Sequence, residues 1–246
     1  MNKIDKTICF FWVGDKIEIP QSLVQSIRLT MGDKVNVVQL TNYETKEIKG
    51  VNSVKRFDLS SKIMIARLQS YNLYENETNY TFFCDADCVF INKLSLPNIE
   101  DINVFLSPRL KDFKINYNYP EYYEEFVDKT ANEVMPFLFC AIATKGNQQK
   151  FFKNLLNICL KLPNRFHNWY GDQYSLFLET KTKLKEFGLL DPNIYQYEIK
   201  ENLMPKKLEK IIEDGCQILH FKGSKSKIHI EQTMALLSYL INKRNT

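Results

Sequence analysis

Two patterns of hydrophobic and polar residues alternate along this chain: short continuous apolar runs, and longer segments in which apolar residues recur with a helical period. The first pattern is typical of strands buried on both faces, and the second is typical of amphipathic helices. The runs predict strands at residues 8–13, 35–40, 54–57, 81–92, 104–107, 136–144 and 216–219. The periodic segments predict helices at residues 20–31, from Ser60 or Ser61 to Tyr74, 148–162 and 230–243. This order predicts an α/β, Rossmann-like protein with a mixed, mainly parallel sheet flanked by helices.

Two aspartates, Asp85 and Asp87, interrupt the apolar run at residues 81–92. In an extended segment both carboxylates would point to the same side, while Ala86 between them would point back toward the core. Carboxylates held side by side repel each other and are stabilised by a hard divalent cation, which takes oxygen ligands. The pattern therefore predicts a site for Mn²⁺ or Mg²⁺, and the alternative is an ordinary strand end with two exposed acids.

Composition narrows the class of protein. The length of 246 residues and a hydrophobic content of 44% are typical of one α/β domain with a sizeable core. A net charge of +4 is too small to indicate nucleic-acid binding, so no nucleic acid is expected as a partner. The six cysteines lie mostly in apolar settings without a C-x-x-C pair, which predicts reduced core thiols. No apolar run approaches a membrane span or a signal-peptide core, so we expect a cytoplasmic protein.

Two other places near predicted strand ends carry candidate binding residues. Trp12 and Val13 close the first strand, where ligands of a parallel α/β sheet are met, so they are candidates for contact with a nucleotide base. The alternative there is a simple β-turn. Arg67 lies inside the second predicted helix, beside apolar neighbours. Its guanidinium is suited to phosphate, although an arginine that extends its charge into solvent is the other interpretation.

The succession from Ala66-Arg67-Leu68 to the D-x-D segment at residues 82–90 resembles glycosyltransferase family eight. The resemblance implies a GT-A-type fold and a nucleoside diphosphate sugar as donor. We expect the nucleotide of this donor to be UDP. It also implies transfer with retention of configuration. Related capsule and mannosyl-type transferases share a similar arginine helix and D-x-D, so the fold is better defined than the family.

A second segment of the resemblance begins at Asp172-Gln173, which is similar to the first half of the family's D-Q-D-x-L-N motif. The resemblance implies that Asp172 binds the donor hexose and that Gln173 stabilises positive charge at the anomeric carbon. Tyr174 and Phe177 replace the second aspartate and the asparagine of that motif. The alternative for Asp172 is a helix N-cap.

A third segment, His220 to Lys227, resembles the family's H-x-x-G-x-x-K-P-W sequence. By that resemblance His220 is the third metal ligand, and Gly223 with a lysine holds the diphosphate. Serine occupies position 226, so Lys225 and Lys227 on either side are the candidate lysines, and the P-W pair is absent. Two carboxylates and an imidazole suit Mn²⁺. The alternative is a structural histidine at a strand end.

The remaining segments bear on the acceptor. Six of the fourteen residues at 113–126 are aromatic. They could stack on the apolar faces of sugar rings, or they could pack against one another within a loop. The strand at 136–144 falls where the family's acceptor-side F-N-A/S-G segment would lie, but it lacks the asparagine and glycine. The C-terminal helix at 230–243 is expected to pack against the sheet, or else to dock on an anionic membrane that presents a lipid-linked acceptor.

Together these observations predict one domain, with a nucleotide-binding half at residues 1–95 and an acceptor and sugar half at 96–246. The predicted activity is metal-dependent transfer of a hexose from the nucleotide sugar to a glycan or lipid-linked oligosaccharide acceptor, in bacterial surface polysaccharide synthesis. The predicted cellular location is the cytoplasm, or the inner face of the cell membrane if the C-terminal helix docks there. One alternative is a haloacid-dehalogenase-type phosphatase, since Asp85, Asp87 and Val89 fit its D-x-D-x-[TV] motif. Another is a non-catalytic module that binds the nucleotide sugar.

Overall fold

The fold is taken from a computed structural model, which describes residues 5–76, 78–115 and 124–245. Strands in these ranges are β1 Lys6–Phe11, β2 Asn36–Thr41, β3 Ser53–Arg56, β4 Tyr80–Cys84, β5 Cys88–Phe90, β6 Val104–Pro108, β7 Phe137–Lys145, β8 Gly188–Leu189, β9 Tyr197–Glu198 and β10 Ile218–His220. The helices are α1 Glu18–Met31, α2 Ile63–Leu73, α3 Ala131–Val134, α4 Gln149–Lys161, α5 Gly171–Thr180, α6 Pro192–Tyr195, α7 Pro205–Glu213, α8 Ser224–Lys227 and α9 Ile230–Asn245.

The larger sheet has seven strands in the order β3-β2-β1-β4-β7-β6-β8. Strand β1 is parallel to β2 and to β4, β2 is parallel to β3, and β6 is parallel to β8. Strand β7 runs antiparallel between β4 and β6. The predicted class, an α/β protein with a mixed and mainly parallel sheet flanked by helices, is confirmed.

The predicted single strand at residues 81–92 is wrong in one respect. The chain leaves the larger sheet after β4, turns at residues 85–87, and enters a second sheet, of order β5-β10-β9, as β5. The backbone N–H of Phe221 closes this turn by donating to Asp87 O at 3.0 Å. Ala86 is buried in the turn, as predicted. Both strands are buried, so the apolar run continues through the turn and conceals it.

The two faces of the larger sheet are both covered, which explains why its central strands, β1, β4 and β7, are mainly apolar. On β4, Phe82 packs into a cluster that includes Leu23 and Ile27 of α1. Its neighbour Phe83 packs on the opposite side with Tyr71 of α2, at 4.6 Å between ring centroids. The six cysteines are all free and buried, in accordance with the predicted core thiols.

The start of helix α2 differs from the prediction, whereas the packing of helix α9 agrees with it. Helix α2 begins at Ile63 with Lys62 as its N-cap residue, so the predicted serine cap is wrong; Ser60 Oγ instead accepts a hydrogen bond from Lys62 N at 3.1 Å. Helix α9 packs through Met234 and Leu237 into the cluster that covers the smaller sheet, as predicted for the C-terminal helix. Within the described ranges, no helix has both the length and the apolar character needed to cross a membrane.

Candidate active site

The candidate residues gather at one edge of the larger sheet. In the register of β1 against β4, Phe10 lies opposite Cys84, so the segments that follow both strands leave the sheet side by side. Strand β6 ends at the same edge, because Pro108 pairs with Phe137 at the start of the antiparallel β7. Ligands of open α/β sheets bind beyond the carboxyl ends of parallel strands.

Asp85, Asp87 and His220 form a cluster of possible metal ligands, with one ligand atom from each within 4.8 Å of the other two. His220 Nε2 lies 3.4 Å from Asp87 Oδ1 and 4.0 Å from Asp85 Oδ2. The histidine reaches the aspartates because β10 is antiparallel to β5, which places His220 opposite Cys88, one residue beyond Asp87. The structure therefore brings together the three residues predicted as metal ligands.

The electrostatics of this cluster are dominated by Asp87. Burial opposes its ionisation, but contacts with His220 and Lys227 hold the pKa of Asp87 at about 2. Burial likewise disfavours a charged imidazole, yet the adjacent Cys140 and the Asp87 carboxylate raise the pKa of His220 well above its usual range. Lys227 Nζ lies 2.9 Å from Asp87 Oδ2. Cationic groups of the protein thus already surround this carboxylate.

The cluster fits a divalent cation. Asp87 Oδ1 is buried and has no hydrogen-bond partner among the described residues, because the approach of His220 is not aligned for a hydrogen bond. An unsatisfied buried carboxylate oxygen costs free energy unless a cation or another partner occupies its lone pair. Two carboxylates and one imidazole are a donor set that Mn²⁺ accepts. Asp85, Asp87 and His220 would hold such an ion.

Arg67 connects this cluster to α5. Its Nη1 donates to Asp85 Oδ1 at 2.6 Å, and its Nη2 pairs with Asp172 Oδ2. The guanidinium lies over the Phe139 ring, 5.1 Å from the centroid, and the side chain is only 14% exposed. The interpretation of Arg67 as a solvent-extended arginine is therefore wrong. Packing on Phe139 and two carboxylates fix its charge beside Asp85.

Asp172 is fully buried, and it is not the N-cap of α5, since Tyr170 in a left-handed conformation occupies that position. Its Oδ1 accepts a hydrogen bond from Gln173 N at 2.7 Å, and its Oδ2 faces Arg67. Burial raises the pKa of Asp172, and the Arg67 guanidinium opposes that shift. The N-cap alternative is thus wrong, and the carboxylate instead locks Arg67 in place.

Gly171→Ala is expected to lower the free energy of unfolding by about 1–3 kcal/mol and to displace the start of α5. A Cβ at this position would overlap the Phe166 carbonyl oxygen and lie 2.9 Å from Cys159 Sγ. Denaturant unfolding checks the value, with Lys181→Ala at the exposed end of the same helix as the control. Unchanged stability would show that the backbone around residue 166 can shift at little cost.

Gln173 lies beside Asp172 and turns its side chain toward a residue that the sequence prediction missed. Arg109 Nη2 donates to Gln173 Oε1 at 2.7 Å, and Arg109 Nε donates to Met135 O at 2.9 Å. Arg109 directly follows β6 and is buried. The available signal was a basic residue two positions after a short predicted strand, which by itself does not indicate a site.

The other predicted binding residues divide between two places. Trp12 and Val13 follow β1 at the same sheet edge as Asp85 and are partly exposed, and their contact with a nucleotide stays a prediction. Of the two candidate lysines, Lys227 pairs with Asp87, whereas Lys225 lines a separate cleft. Gly223 precedes α8 with φ of +84°, a conformation that favours glycine.

Position 226, which is lysine in the family pattern, is buried here. Ser226 Oγ donates to Lys222 O at 2.7 Å and so stabilises the single turn of α8. A lysine at this position could not extend into the site without breaking that contact. This explains why the basic side chain near Asp87 is that of Lys227 and not that of residue 226.

A cleft with a volume of about 740 Å³ opens next to His220. Its walls come from the segment after β6, from β9 and its neighbours, and from the β10–α8 connection. The sequence interpretation found no chemistry at residues 181–204, yet Gln196, Tyr197, Glu198 and Lys200 line this cleft. Those residues are scattered among polar positions, so nothing in the pattern marked them.

Most of the predicted aromatic segment at 113–126 lies outside the described residues, which omit 116–123. Of its described aromatics, Phe113 lines the cleft, where the Arg109 guanidinium lies 5.5 Å from its ring centroid. Phe126 is fully buried and packs at 5.1 Å against Tyr174. Phe126 thus packs against an aromatic residue outside the segment, and contact of Phe113 with a sugar stays a prediction.

Comparison with known proteins identifies the fold. No protein-family model matches the sequence, and no curated protein matches it. A glycosyltransferase involved in glycosylation of the major capsid of PBCV-1 matches with a TM-score of 0.57 and 10% identity, over 92% of this chain and 99% of its own. The galactosyltransferase LgtC, in complex with donor and acceptor sugar analogs, matches with a TM-score of 0.57 and 12% identity, over 95% of each chain.

A third structure, the glycosyltransferase GlyE of Streptococcus pneumoniae TIGR4, matches with a TM-score of 0.59 and 12% identity. The match covers 98% of this chain and 64% of GlyE. The chain therefore has the fold of glycosyltransferases, as the sequence predicted.

Proposed function

We propose that this protein is a metal-dependent glycosyltransferase that moves a hexose from a nucleoside diphosphate sugar, UDP-linked, to a glycan or glycolipid acceptor. One observation carries the proposal. Asp85 and Asp87 from the β4–β5 turn and His220 from the end of β10 converge within 4.8 Å, on a glycosyltransferase fold. The two segments are far apart in the sequence, and the three side chains come together because β10 pairs with β5.

The reaction breaks the bond between the anomeric carbon and the diphosphate and forms a bond from that carbon to an acceptor hydroxyl. The nucleoside diphosphate leaves with the bonding electrons, and the hydroxyl proton passes to the departing phosphate or to solvent. Charge therefore develops at two places, negative on the leaving group and positive at the anomeric carbon. A bound Mn²⁺ or Mg²⁺ would supply positive charge to the diphosphate.

The residues of this chain divide between the same two places. Arg67 and Lys227 present cations on either side of the aspartates, at the proposed position of the diphosphate. Asp172 holds Arg67 in that position, and because its side chain has no exposed surface this positioning role replaces the predicted direct contact with the donor hexose. Gln173, next to it, is the proposed group at the anomeric carbon. Trp12 and Val13 would contact the nucleotide base, and Gly223 would allow close approach of backbone to the phosphates.

Several finer points extend the proposal. Membership of family eight, retention of configuration, a role in bacterial surface polysaccharide synthesis and action at the inner face of the cell membrane remain predictions. So does the division into a nucleotide-binding half at 1–95 and an acceptor half at 96–246. The proposed donor site draws on both halves, since Asp85 and Asp87 lie in the first and His220 and Lys227 lie in the second.

The first experiment is UDP release from a panel of UDP-sugars, in the presence of Mn²⁺ and then of EDTA. We expect one sugar to give slow release without an acceptor, because water can replace the acceptor hydroxyl, and EDTA to abolish it. Adding Mn²⁺ back in excess of EDTA is the control and should restore release. This result would name the donor and establish the role of the metal.

Two outcomes would contradict the proposal. Hydrolysis of a phosphomonoester, with no release from any nucleotide sugar, would favour the phosphatase alternative with Asp85 as nucleophile. Metal-dependent binding of UDP without turnover, even with a mixture of glycan acceptors, would favour the non-catalytic module. Calorimetric titration with UDP separates this second outcome from a simple loss of folding.

A further inference from the structure

The cleft beside His220 carries an excess of positive charge. Five basic residues line it, and among its described lining residues the acid is Glu198. Lys111 and Lys200 lie 3.6 Å and 3.8 Å from this carboxylate. The other three lining cations are Arg109, Lys222 and Lys225, and none of them forms an ion pair within the described part of the chain.

Two of these cations lie next to the same aromatic ring. The Arg109 guanidinium lies 5.5 Å and Lys222 Nζ lies 5.8 Å from the centroid of the Phe113 ring. Arg109 is buried and anchored by Met135 O and Gln173, so its position is fixed. Burial and the Arg109 charge both lower the pKa of Lys222, so the two cations repel each other, and an anion that contacts both would remove that repulsion. The arrangement is that of an anion-binding wall.

The position of the cleft assigns it to the acceptor side, an argument that rests on the proposed function. None of Trp12, Arg67, Asp85 and Asp87 lines it, although His220 forms part of its wall. Arg109 reaches from the cleft to Gln173, the proposed group at the anomeric carbon. The cleft thus extends from the proposed transfer centre and shares the His220 wall with the proposed donor site.

We propose that this cleft binds the acceptor, and that the acceptor carries an anionic group, a phosphate or a carboxylate, held by Arg109, Lys222 and Lys225. Phe113 and Tyr197 supply the apolar walls against which a sugar ring packs. The acceptor is therefore an acidic or phosphorylated glycan rather than a neutral one.

The test measures binding of three matched hexoses by saturation-transfer NMR: glucose 6-phosphate, glucuronate and methyl glucoside. UDP and Mg²⁺, a diamagnetic ion that does not broaden the NMR signals, are present at saturation so that the donor site is filled. A charge-assisted hydrogen bond contributes about 1.5–3 kcal/mol, and every 1.4 kcal/mol is tenfold in affinity. We expect at least one anionic sugar to bind about tenfold or more tightly than methyl glucoside. Comparing the two anionic sugars distinguishes phosphate from carboxylate.

The variant Lys222→Ala/Lys225→Ala is expected to reduce this preference to about threefold or less, while the affinity for methyl glucoside changes little. Both side chains are exposed, so the fold should tolerate the change. Lys161→Ala, an exposed lysine at the end of α4, is the matched control for lost charge and should keep the preference.

Three results would overturn the proposal: equal affinity for charged and neutral sugars, a preference that survives in the double variant, or binding of the anionic sugar that is seen without UDP and metal and is lost when both are added. The last would assign these cations to the donor diphosphate. Because binding is measured without turnover, a failure of the proposed transferase activity appears separately, as absent UDP release from every nucleotide sugar.

Discussion

Asp87→Ala is expected to lower metal-dependent UDP release by about two to three orders of magnitude or more, with the fold retained. Asp87 lies at the centre of the cluster, with Lys227 on one oxygen and His220 close to the other. With a pKa of about 2 it is ionised throughout the neutral range, and alanine removes that charge together with one of the three proposed ligand atoms. The measurement is steady-state release from the responsive UDP-sugar, at several concentrations of Mn²⁺.

The matched control is Asp33→Ala, since the Asp33 side chain is fully exposed and lies in the turn after α1. It should keep the wild-type rate. Asp87→Asn preserves the shape of the side chain and separates charge from packing, and it should be nearly as inactive as the alanine variant. Full activity in Asp87→Asn would refute a metal-ligand role, and thermal unfolding would identify any variant that loses activity through its fold.

Arg67→Met is expected to lower the free energy of unfolding by about 3–5 kcal/mol, the usual cost of removing one partner from a buried ion pair. The side chain of Asp172 has no exposed surface, so without Arg67 its charge would be left uncompensated in the core. Methionine keeps much of the volume that packs on Phe139. Denaturant unfolding, followed by circular dichroism, gives the free energy.

The double variant Arg67→Met/Asp172→Asn is expected to recover most of that stability, because it removes the unpaired charge as well as its partner. It should not recover UDP release, since the cation beside Asp85 is still missing. Asp172→Asn alone completes the cycle. If the double variant is as unstable as Arg67→Met, the cost comes from lost packing on Phe139 and not from the buried carboxylate. If it is active, Arg67 has no role at the diphosphate.

The extent of prediction from sequence is clearest at the D-x-D segment. Two acids within an apolar run could be recognised as a candidate metal site from the chain alone, because burial makes isolated carboxylates costly. The turn between β4 and β5 could not be recognised, because both strands are buried and their apolar residues form one unbroken run. The companion His220 was named only through a family resemblance, and its convergence on Asp87 depends on the antiparallel pairing of β10 with β5.

The contacts of Arg67 and Arg109 also could not be predicted from the local sequence. Local sequence placed Arg67 on a helix but could not decide between solvent and phosphate, since that choice depends on Asp172, which is 105 positions away in the chain. Arg109 carried almost no local signal, and its contact with Gln173 spans 64 positions. Both contacts exist because α5 and the end of β6 meet the same sheet edge.

Patterning of apolar residues thus determined the α/β class, most strands, the four longest helices of the described residues and the pair of acids, since these follow from burial and from short-range periodicity. The tertiary structure alone decided which charges meet: Lys227 and not Lys225 beside Asp87, Asp172 against Arg67, and the basic cleft from three separate segments. Electrostatic contacts act through space, and neighbours in space are set by strand order and register, which a local pattern does not encode.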